Sequence, residues 1–171
     1  MTPTIEAIRL RVNALFGIEF NHAVVLLYRN GDDSIGYHKD KTLDLDETSP
    51  VISLSLGVPR LYTLRDRIHG PTKQHEFVLP HGALFGLGRQ SNESFYHSIR
   101  PSESLEEFGE MQTTARISLT FRRVLTYRDP VTHTISGKGA QYQSPNWPEE
   151  LQGRHCLGEI PEESQATSTS E

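Results

Sequence analysis

The chain has 171 residues, a single cysteine and a formal net charge of −5. No stretch approaches the ~18 apolar residues that a membrane-spanning helix needs, and one cysteine excludes a disulfide within the chain. The first residues show no secretory signal, and a lone cysteine suits a reducing compartment. We therefore expect an intracellular protein, in the nucleus or the cytoplasm, and we expect a monomer.

The charge is unevenly distributed. Residues 1–139 contain 16 Lys and Arg and 16 Asp and Glu, whereas residues 140–171 contain one Arg and six Glu. The larger part is thus electrically balanced. A protein that binds phosphate backbones tightly and without sequence preference is expected to carry an excess of basic residues, so this balance counts against such a protein.

The pattern of apolar residues predicts one helix followed by many short strands. Apolar residues recur at helical spacing across 3–16, and Gly17 suits the end of a helix. The turn sequence at 30–33 separates Ala23–Tyr28 from Ser34–Lys39 and predicts a hairpin. The other predicted strands are Val51–Leu56, Leu61–Leu64, Glu76–Leu79, Ala83–Leu87, Phe95–Ile99 and Ala115–Val124. Short strands separated by turns favour a β-sandwich or barrel-like fold.

Polar segments predict the loops between these strands. Asp66–Lys73 contains Gly70-Pro71, and Arg89–Ser94 has no apolar residue, so both are predicted as loops. Residues 43–50 and 101–113 are acidic and irregular in pattern. From about residue 129 the periodicity fades.

A candidate metal site begins with the sequence His38-Lys39-Asp40. Residues two apart on a strand point to the same face, so this imidazole and carboxylate can converge on one ion. His97 lies in another predicted strand. Two histidines and one carboxylate leave half of an octahedron open, which suits iron(II) that must bind a cosubstrate and O2. The alternative, a pair of surface residues, remains open at this point.

The segment RISLTFR, residues 116–122, has a polar and an apolar face. Arg116 and Arg122 leave the strand on the same side as Ser118 and Thr120, and three apolar residues take the other side. Two arginines on one face are expected where an anion binds, because a guanidinium binds carboxylates with two parallel hydrogen bonds. The alternative, which the sequence leaves open, is that this face is exposed to water and the arginines form surface ion pairs.

HKD, His97 and RISLTFR, in this order, resemble the layout of the AlkB family of iron(II)/2-oxoglutarate dioxygenases. The resemblance extends through FNHAVVLLYRNGDDSIGYHKD, SPVISLSLG, LPHGALFGL and FYHSIRP. It covers roughly residues 5–125 and is nearest to the eukaryotic DNA-repair branch.

The resemblance implies a mainly β fold: a double-stranded β-helix, or jelly roll, with a short N-terminal helix and an irregular C-terminal tail. It implies that His38, Asp40 and His97 hold Fe(2+), and that 2-oxoglutarate and O2 are cosubstrates, with ascorbate as the reductant in vitro. The residues implied for 2-oxoglutarate are Tyr28, Arg116 at its distal carboxylate, and Arg122 nearer its other end and Asp40.

One residue departs from the family pattern at the cosubstrate site. The family usually has Asn at the position of Leu26, so one hydrogen bond worth roughly 1 kcal/mol is expected to be lost. About 20 residues precede the predicted hairpin, so most of the family's substrate lid is expected to be missing. The candidate residues for substrate contacts are Tyr37, Arg65, Arg67 and Arg89.

The implied function is oxidative demethylation of alkylated DNA or RNA bases, with the base single-stranded or flipped out of a duplex. One alternative is the same chemistry on a protein or a small molecule, and another is a non-catalytic scaffold. The predicted organisation is an AlkB-like dioxygenase domain at 1–128, a C-terminal extension at 129–157 docked on it, and a disordered tail at 158–171.

Overall fold

The computed structural model describes residues 1–102 and 115–142. It divides into two compact units, Met1–Leu125 and a second that begins at Thr126. None of the helices in these described ranges is long and apolar enough to cross a lipid bilayer. The elements of the first unit are α1 (Pro3–Phe16), β1 (His22–Tyr28), β2 (Ile35–His38), β3 (Val51–Gly57), β4 (Arg60–Asp66), β5 (Gly70–Leu79), β6 (Leu84–Leu87), α2 (Arg89–Ser94), β7 (Phe95–Ile99) and β8 (Arg116–Arg122).

Helix α1 begins and ends where the sequence predicts. Before its first turn, the Thr2 hydroxyl accepts the backbone N–H of Ile5 at 3.4 Å, and Pro3 occupies a position that needs no hydrogen-bond donor. At the other end Gly17 adopts a left-handed φ of 65° and donates its N–H to the carbonyl of Asn13 at 2.8 Å. Glycine adopts that conformation without a steric penalty, which terminates the helix.

The eight strands of this unit form two antiparallel four-stranded sheets. The first has the order β1-β8-β3-β6 and the second the order β2-β7-β4-β5. Between β1 and β8 the chain changes sheet at every connection except the one from β4 to β5. Strands that alternate between two facing sheets make a double-stranded β-helix, so the predicted jelly roll is confirmed.

Two apolar clusters hold the frame together, and burial of each large side chain in them contributes about 1.5–3 kcal/mol. On one side of the first sheet, α1 packs against buried residues of β3 and β8. The members of that cluster are Val12, Phe20, Ile52, Leu119 and Phe121. The second cluster draws on strands of both sheets. Its members are Tyr28, Leu45, Val51, Tyr62, Leu64, Leu79, Leu87 and Ile99.

The predicted hairpin of Ala23–Tyr28 and Ser34–Lys39 is wrong. The turn at 30–33 exists, but β1 pairs with β8 and β2 pairs with β7, so the turn joins two different sheets. The buried guanidinium of Arg60 donates to the backbone carbonyls of Asn30, Gly31 and Asp33. These carbonyls are therefore satisfied by a side chain from another strand, and the turn does not need a strand ladder beside it.

The predicted loop Asp66–Lys73 is much shorter than expected. Strand β4 continues to Asp66 and β5 starts at Gly70, which leaves a three-residue turn. The Asp66 carboxylate accepts the backbone N–H groups of Ile68 and His69, both at 2.9 Å. These bonds lower the pKa of Asp66 to about 2, so the turn is closed by an aspartate side chain.

The predicted loop Arg89–Ser94 is the short helix α2. Its sequence is polar and offers no apolar face, so its periodicity gives no helical signal. Asn92 is nevertheless only 4% exposed. A tertiary contact of that side chain, described below, holds the segment in place.

The second unit contains regular structure that the sequence did not predict. Strands β9 (Thr126–Arg128) and β10 (Ile135–Gly137) pair antiparallel, and a 3-10 helix (Lys138–Tyr142) follows. The N–H of Gly139 donates to the Thr126 hydroxyl at 2.7 Å. The expected docking of residues 143–157, including Trp147, and the expected disorder of 158–171 fall outside the described residues. The three-part division of the chain stays a prediction.

Candidate metal and cosubstrate site

The structure brings His38, Asp40 and His97 together. His38 ends β2 and pairs with His97 on β7, and their ring centroids lie 4.1 Å apart. One nitrogen of each imidazole and one oxygen of Asp40 all lie within 4.8 Å of one another. This separation allows the three atoms to bind a single ion.

Asp40 reaches this position by a route that the sequence did not predict. The expected strand included Lys39, but β2 ends at His38, so the alternation of a strand does not orient the carboxylate. Asp40 Oδ1 instead accepts a hydrogen bond from Arg122 Nη2 at 2.7 Å. Arg122 is therefore beside Asp40, where the family resemblance places it.

Local contacts orient the ring of His38, and burial affects the protonation of His97. The Nδ1 atom of His38 lies 2.9 Å from the carbonyl of Gly36. Because a carbonyl only accepts, this contact places the proton on Nδ1 and leaves the lone pair of Nε2 free. Burial, followed by the neighbouring His38, lowers the pKa of His97 to about 4. His97 is thus unprotonated near neutral pH, as a metal ligand must be.

Arg116 is a buried cation that lines a cavity between the sheets. The residue is 1% exposed, and its guanidinium donates from Nε to the Ser55 hydroxyl at 2.8 Å. The guanidinium also has a side-chain hydrogen bond with Tyr28 and lies 5.0 Å from the centroid of that ring. Burial lowers the pKa of Arg116 and raises the pKa of Tyr28. Within the described residues, Nη1 of Arg116 has no hydrogen-bond partner. A buried cation with an unused donor is suited to an anionic ligand.

The two faces of β8 are those predicted from RISLTFR. Arg116, Ser118, Thr120 and Arg122 line a cavity, whereas Leu119 and Phe121 belong to the apolar cluster under α1. The alternative of surface ion pairs is wrong. Arg116 is buried, and the partner of Arg122 is the carboxylate of Asp40.

The cavity has a volume of about 350 Å³ and draws its walls from both sheets. That is within the range of roughly 300–1,000 Å³ typical of small-molecule sites. Tyr62 is one wall, and its ring stacks on His97 with a centroid distance of 5.7 Å. Leu26 also lines the cavity, opposite Ser118 in the strand pairing. The other lining residues include Val24, Tyr28, Lys39, Lys41, Val51, Ser53, Leu79, Phe85, Leu87 and Ile99.

The residues present fit iron(II) with 2-oxoglutarate. Two imidazoles and one carboxylate form the ligand set that leaves coordination positions open on non-haem iron. The unused donor of Arg116 lies in the same cavity and provides a counter-charge for a carboxylate. The fit therefore rests on the donor atoms themselves and on a buried guanidinium that has no acidic partner in the described part of the chain.

The four candidate substrate residues do not line this cavity. Tyr37 packs its ring 3.6 Å from the guanidinium carbon of Arg65 and donates its hydroxyl to Gln74. Arg67 donates to the carbonyl of Glu93. Arg89 forms ion pairs with Glu47 and Glu93. Each of these side chains thus has a structural partner away from the cavity.

Three sets of residues that line the cavity or contact Asp40 were not predicted from the sequence. Lys39 and Lys41 flank Asp40 and line the cavity, and their position next to a ligand was a usable signal. Tyr62 lies in a predicted strand, but its place facing His97 depends on sheet pairing. Asn92 binds the backbone of Asp40 from what was predicted to be a loop, and no sequence signal indicated that contact.

The family model for the 2OG-Fe(II) oxygenase superfamily matches residues 1–122. The chain belongs to the 2OG-Fe(II) oxygenase superfamily. This oxygenase chain is 32% identical over 129 residues to the DNA oxidative demethylase ALKBH2 of Bos taurus, a match that covers 72% of this chain and 44% of that protein. It is 26% identical over 136 residues to the alpha-ketoglutarate-dependent dioxygenase alkB homolog 3 of Homo sapiens, covering 75% of this chain and 44% of that protein.

These matches confirm the AlkB-like assignment within the superfamily. A match to "The structure of OsALKBH1" has a TM-score of 0.46 at 19% identity and covers 70% of this chain and 60% of that one. The oxygenase chain spans less than half the length of the two curated relatives.

Proposed function

We propose that the chain is an Fe(II)/2-oxoglutarate-dependent dioxygenase that removes N-methyl groups from alkylated nucleic-acid bases. The observation that carries this proposal is the convergence of three donor side chains beside a buried arginine. His38, Asp40 and His97 supply the ligand atoms, and Arg116 supplies an unused cationic donor in the same cavity.

Iron(II) held by these residues would supply oxidation of a substrate C–H bond by O2, with one oxygen atom entering the substrate and the other entering succinate as 2-oxoglutarate loses CO2. A methyl group on a base nitrogen becomes N-hydroxymethyl, which breaks down to formaldehyde and the free N–H. The role of the protein is to bind and orient the reactants and to exclude water.

Different side chains around the cavity bind the cosubstrate, orient a ligand and exclude water. Arg116 binds the distal carboxylate of 2-oxoglutarate with charge-assisted hydrogen bonds, and Tyr28 packs against that guanidinium. Arg122 holds the carboxylate of Asp40 by its 2.7 Å hydrogen bond. The rings of Tyr62 and Phe85, with centroids 4.5 Å apart, form an apolar wall that keeps water from the reacting groups.

Two lysines favour a nucleic-acid substrate over a neutral one. Lys39 and Lys41 precede and follow Asp40, and both line the cavity. Ammonium groups at this position suit the phosphates on either side of a base that has entered the cavity. The names of the ALKBH2 relatives as DNA oxidative demethylases agree with this substrate class.

The same chemistry on a protein or small molecule is the alternative. It is favoured by the placement of Arg65, Arg67 and Arg89, which bind other parts of the chain instead of lining the cavity. That leaves few cations near the ligands to hold a nucleic-acid strand.

The test incubates the purified chain with iron(II), ascorbate and 2-oxoglutarate and measures succinate. We expect single-stranded oligonucleotides that contain 1-methyladenine or 3-methylcytosine to stimulate succinate formation and release formaldehyde. Asp40→Ala is the inactive control, and Tyr37→Phe, outside the cavity, is the control that stays active. Turnover that no methylated oligonucleotide stimulates would favour the alternative substrate class. Absence of metal binding would leave only the hypothesis of a non-catalytic scaffold.

A second arm tests the two lysines. Lys41→Gln is expected to weaken binding of the methylated oligonucleotide and to reduce the salt dependence by about one phosphate contact. Lys73→Gln is the matched control, because Lys73 pairs with Asp66 away from the cavity. Equal binding by wild type and Lys41→Gln would argue against phosphate contacts at this position.

A further inference from the structure

Asp40 lies outside the strands that fix the other two candidate ligands. His97 is within β7, and His38 is held at the end of β2 by its pairing with His97. Asp40 comes two residues after β2 ends. The sheet ladder therefore provides no hydrogen bonds to hold its backbone.

The side-chain amide of Asn92 provides those hydrogen bonds instead. Asn92 Oδ1 accepts the backbone N–H of Asp40 at 2.9 Å, and Asn92 Nδ2 donates to the backbone carbonyl of Asp40 at 3.0 Å. Two residues directly opposite each other in an antiparallel ladder exchange the same pair of bonds. The amide thus acts as the strand partner that Asp40 lacks.

The position of Asn92 links Asp40 to the segment that carries His97. Asn92 is 4% exposed and lies in α2, which ends where β7 begins. Its own backbone N–H donates to the carbonyl of Gly88 at 3.0 Å. One short segment therefore contains His97 and also fixes the backbone of Asp40.

We propose that Asn92 is a positioning residue of the metal centre, which sets the backbone of Asp40 relative to His97 before a metal ion binds. Arg122 orients the carboxylate, and Asn92 fixes the peptide from which that carboxylate extends. The inference rests on the proposed function, because it takes the three side chains as ligands. Loss of such a supporting contact typically lowers metal affinity by about 10- to 100-fold.

The chain offers a matched control for this contact. Asn13 makes the same reciprocal pair with the backbone of Phe20, accepting its N–H at 3.1 Å and donating to its carbonyl at 3.5 Å. Phe20 belongs to the apolar cluster under α1 and does not line the cavity. Asn13→Ala therefore removes the same pair of side-chain hydrogen bonds without touching a candidate ligand, while the backbone of Phe20 keeps its hydrogen bonds to Ile18 and Arg9.

The experiment measures Co(2+) binding by calorimetry and the visible spectrum of the Co(2+) complex for wild type, Asn92→Ala, Asn92→Asp and Asn13→Ala. Urea unfolding in the presence of a chelator measures the stability of each metal-free protein. We expect Asn92→Ala to weaken Co(2+) binding at least about ten-fold and to change the spectrum. We expect Asn13→Ala to lose stability but to bind Co(2+) as wild type does.

Asn92→Asp keeps the acceptor for the N–H of Asp40 but places a second oxygen against its carbonyl. It is expected to bind Co(2+) with intermediate affinity, and it carries the comparison if Asn92→Ala does not fold. Wild-type affinity and spectrum in both Asn92 variants would show a merely structural role and overturn the inference, while the proposed function would stand. A wild-type chain that binds no Co(2+) would overturn the inference together with the proposed function.

Discussion

Arg116 and Arg60 are both fully buried, and their replacement by methionine is expected to have opposite effects on the metal-free protein. Arg60 is 0% exposed and donates to four backbone carbonyls, those of Asn30, Gly31, Asp33 and Arg100. Arg116 donates to the Ser55 hydroxyl and has a side-chain hydrogen bond with Tyr28, and within the described residues its Nη1 has no partner. Their hydrogen bonding therefore differs sharply at equal burial.

The expected magnitudes follow from those contacts. Arg60→Met removes hydrogen bonds to four partly buried carbonyls, of which that of Gly31 keeps another donor, the N–H of Ser102. At about 1–3 kcal/mol for each carbonyl left without a donor, we expect a loss of at least about 3 kcal/mol in the free energy of unfolding. Arg116→Met removes a buried charge that has no acidic partner among the described residues, and with it the desolvation cost of that charge. The metal-free Arg116→Met protein is therefore expected to be at least as stable as wild type.

Binding of 2-oxoglutarate is expected to reverse the effect of Arg116→Met, so that the ligand-bound variant is less stable than ligand-bound wild type. Two charge-assisted hydrogen bonds to a carboxylate contribute roughly 3–6 kcal/mol together, so Arg116→Met is expected to weaken 2-oxoglutarate binding by at least about 100-fold. At a ligand concentration about 100 times the dissociation constant, wild type gains about 2.7 kcal/mol of stability. The variant at that same concentration gains about 0.4 kcal/mol or less.

The assay is urea unfolding with and without 2-oxoglutarate, combined with calorimetry on the Co(2+)-loaded protein. Destabilisation of the metal-free Arg116→Met protein to the same extent as Arg60→Met would show that Arg116 supports the fold in the way Arg60 does. Wild-type affinity for 2-oxoglutarate in that variant would refute the anion site directly.

Three further predictions concern the metal ligands and the cavity wall. Asp40→Ala is expected to abolish metal binding and turnover, and calorimetric retention of Co(2+) would contradict its role. In chelator-treated protein, the free energy of unfolding is expected to fall as the pH drops from about 6.5 through about 4, because the pKa of His97 is lowered to about 4 in the folded state while the imidazole of the unfolded chain is protonated at higher pH. Urea titrations at each pH should show a shallower fall for His97→Gln than for wild type. Parallel curves for the two proteins would exclude His97 as the cause. Leu26→Asn adds an amide to the cavity wall opposite Ser118 and is expected to tighten 2-oxoglutarate binding about five-fold, whereas unchanged affinity would show that the amide does not reach the cosubstrate.

The sequence predicts best where one local pattern determines the structure. The alternation in RISLTFR correctly separates the cavity side of β8 from its packed side, because β8 lies within its sheet and contributes to a core on one face. The limits of α1 follow from a capping threonine and a terminal glycine. The order of HKD, His97 and RISLTFR indicates the family together with the sequence around and between these motifs.

Prediction fails where contacts distant in sequence decide the structure. The turn at 30–33 looks like a hairpin turn, but Arg60 satisfies its carbonyls and β2 pairs with β7 in the other sheet. The polar segment containing α2 has no helical periodicity, and a buried contact from Asn92 to Asp40 holds it in place. Neither contact is visible in the pattern of neighbouring residues.

Both features that make the site chemically useful are unfavourable by the ordinary rules of folding. Arg116 is a buried cation that lacks an acidic partner among the described residues, and Asp40 is a candidate ligand held outside any strand ladder. Such departures from local consistency are expected at functional sites, and here a rigid pair of sheets around them supplies the compensating stability. The unused Nη1 donor of the buried Arg116 is therefore independent support for an anionic cosubstrate, beyond the position of Arg116 in a motif, because a buried donor without a partner destabilises a fold that binds no such ligand.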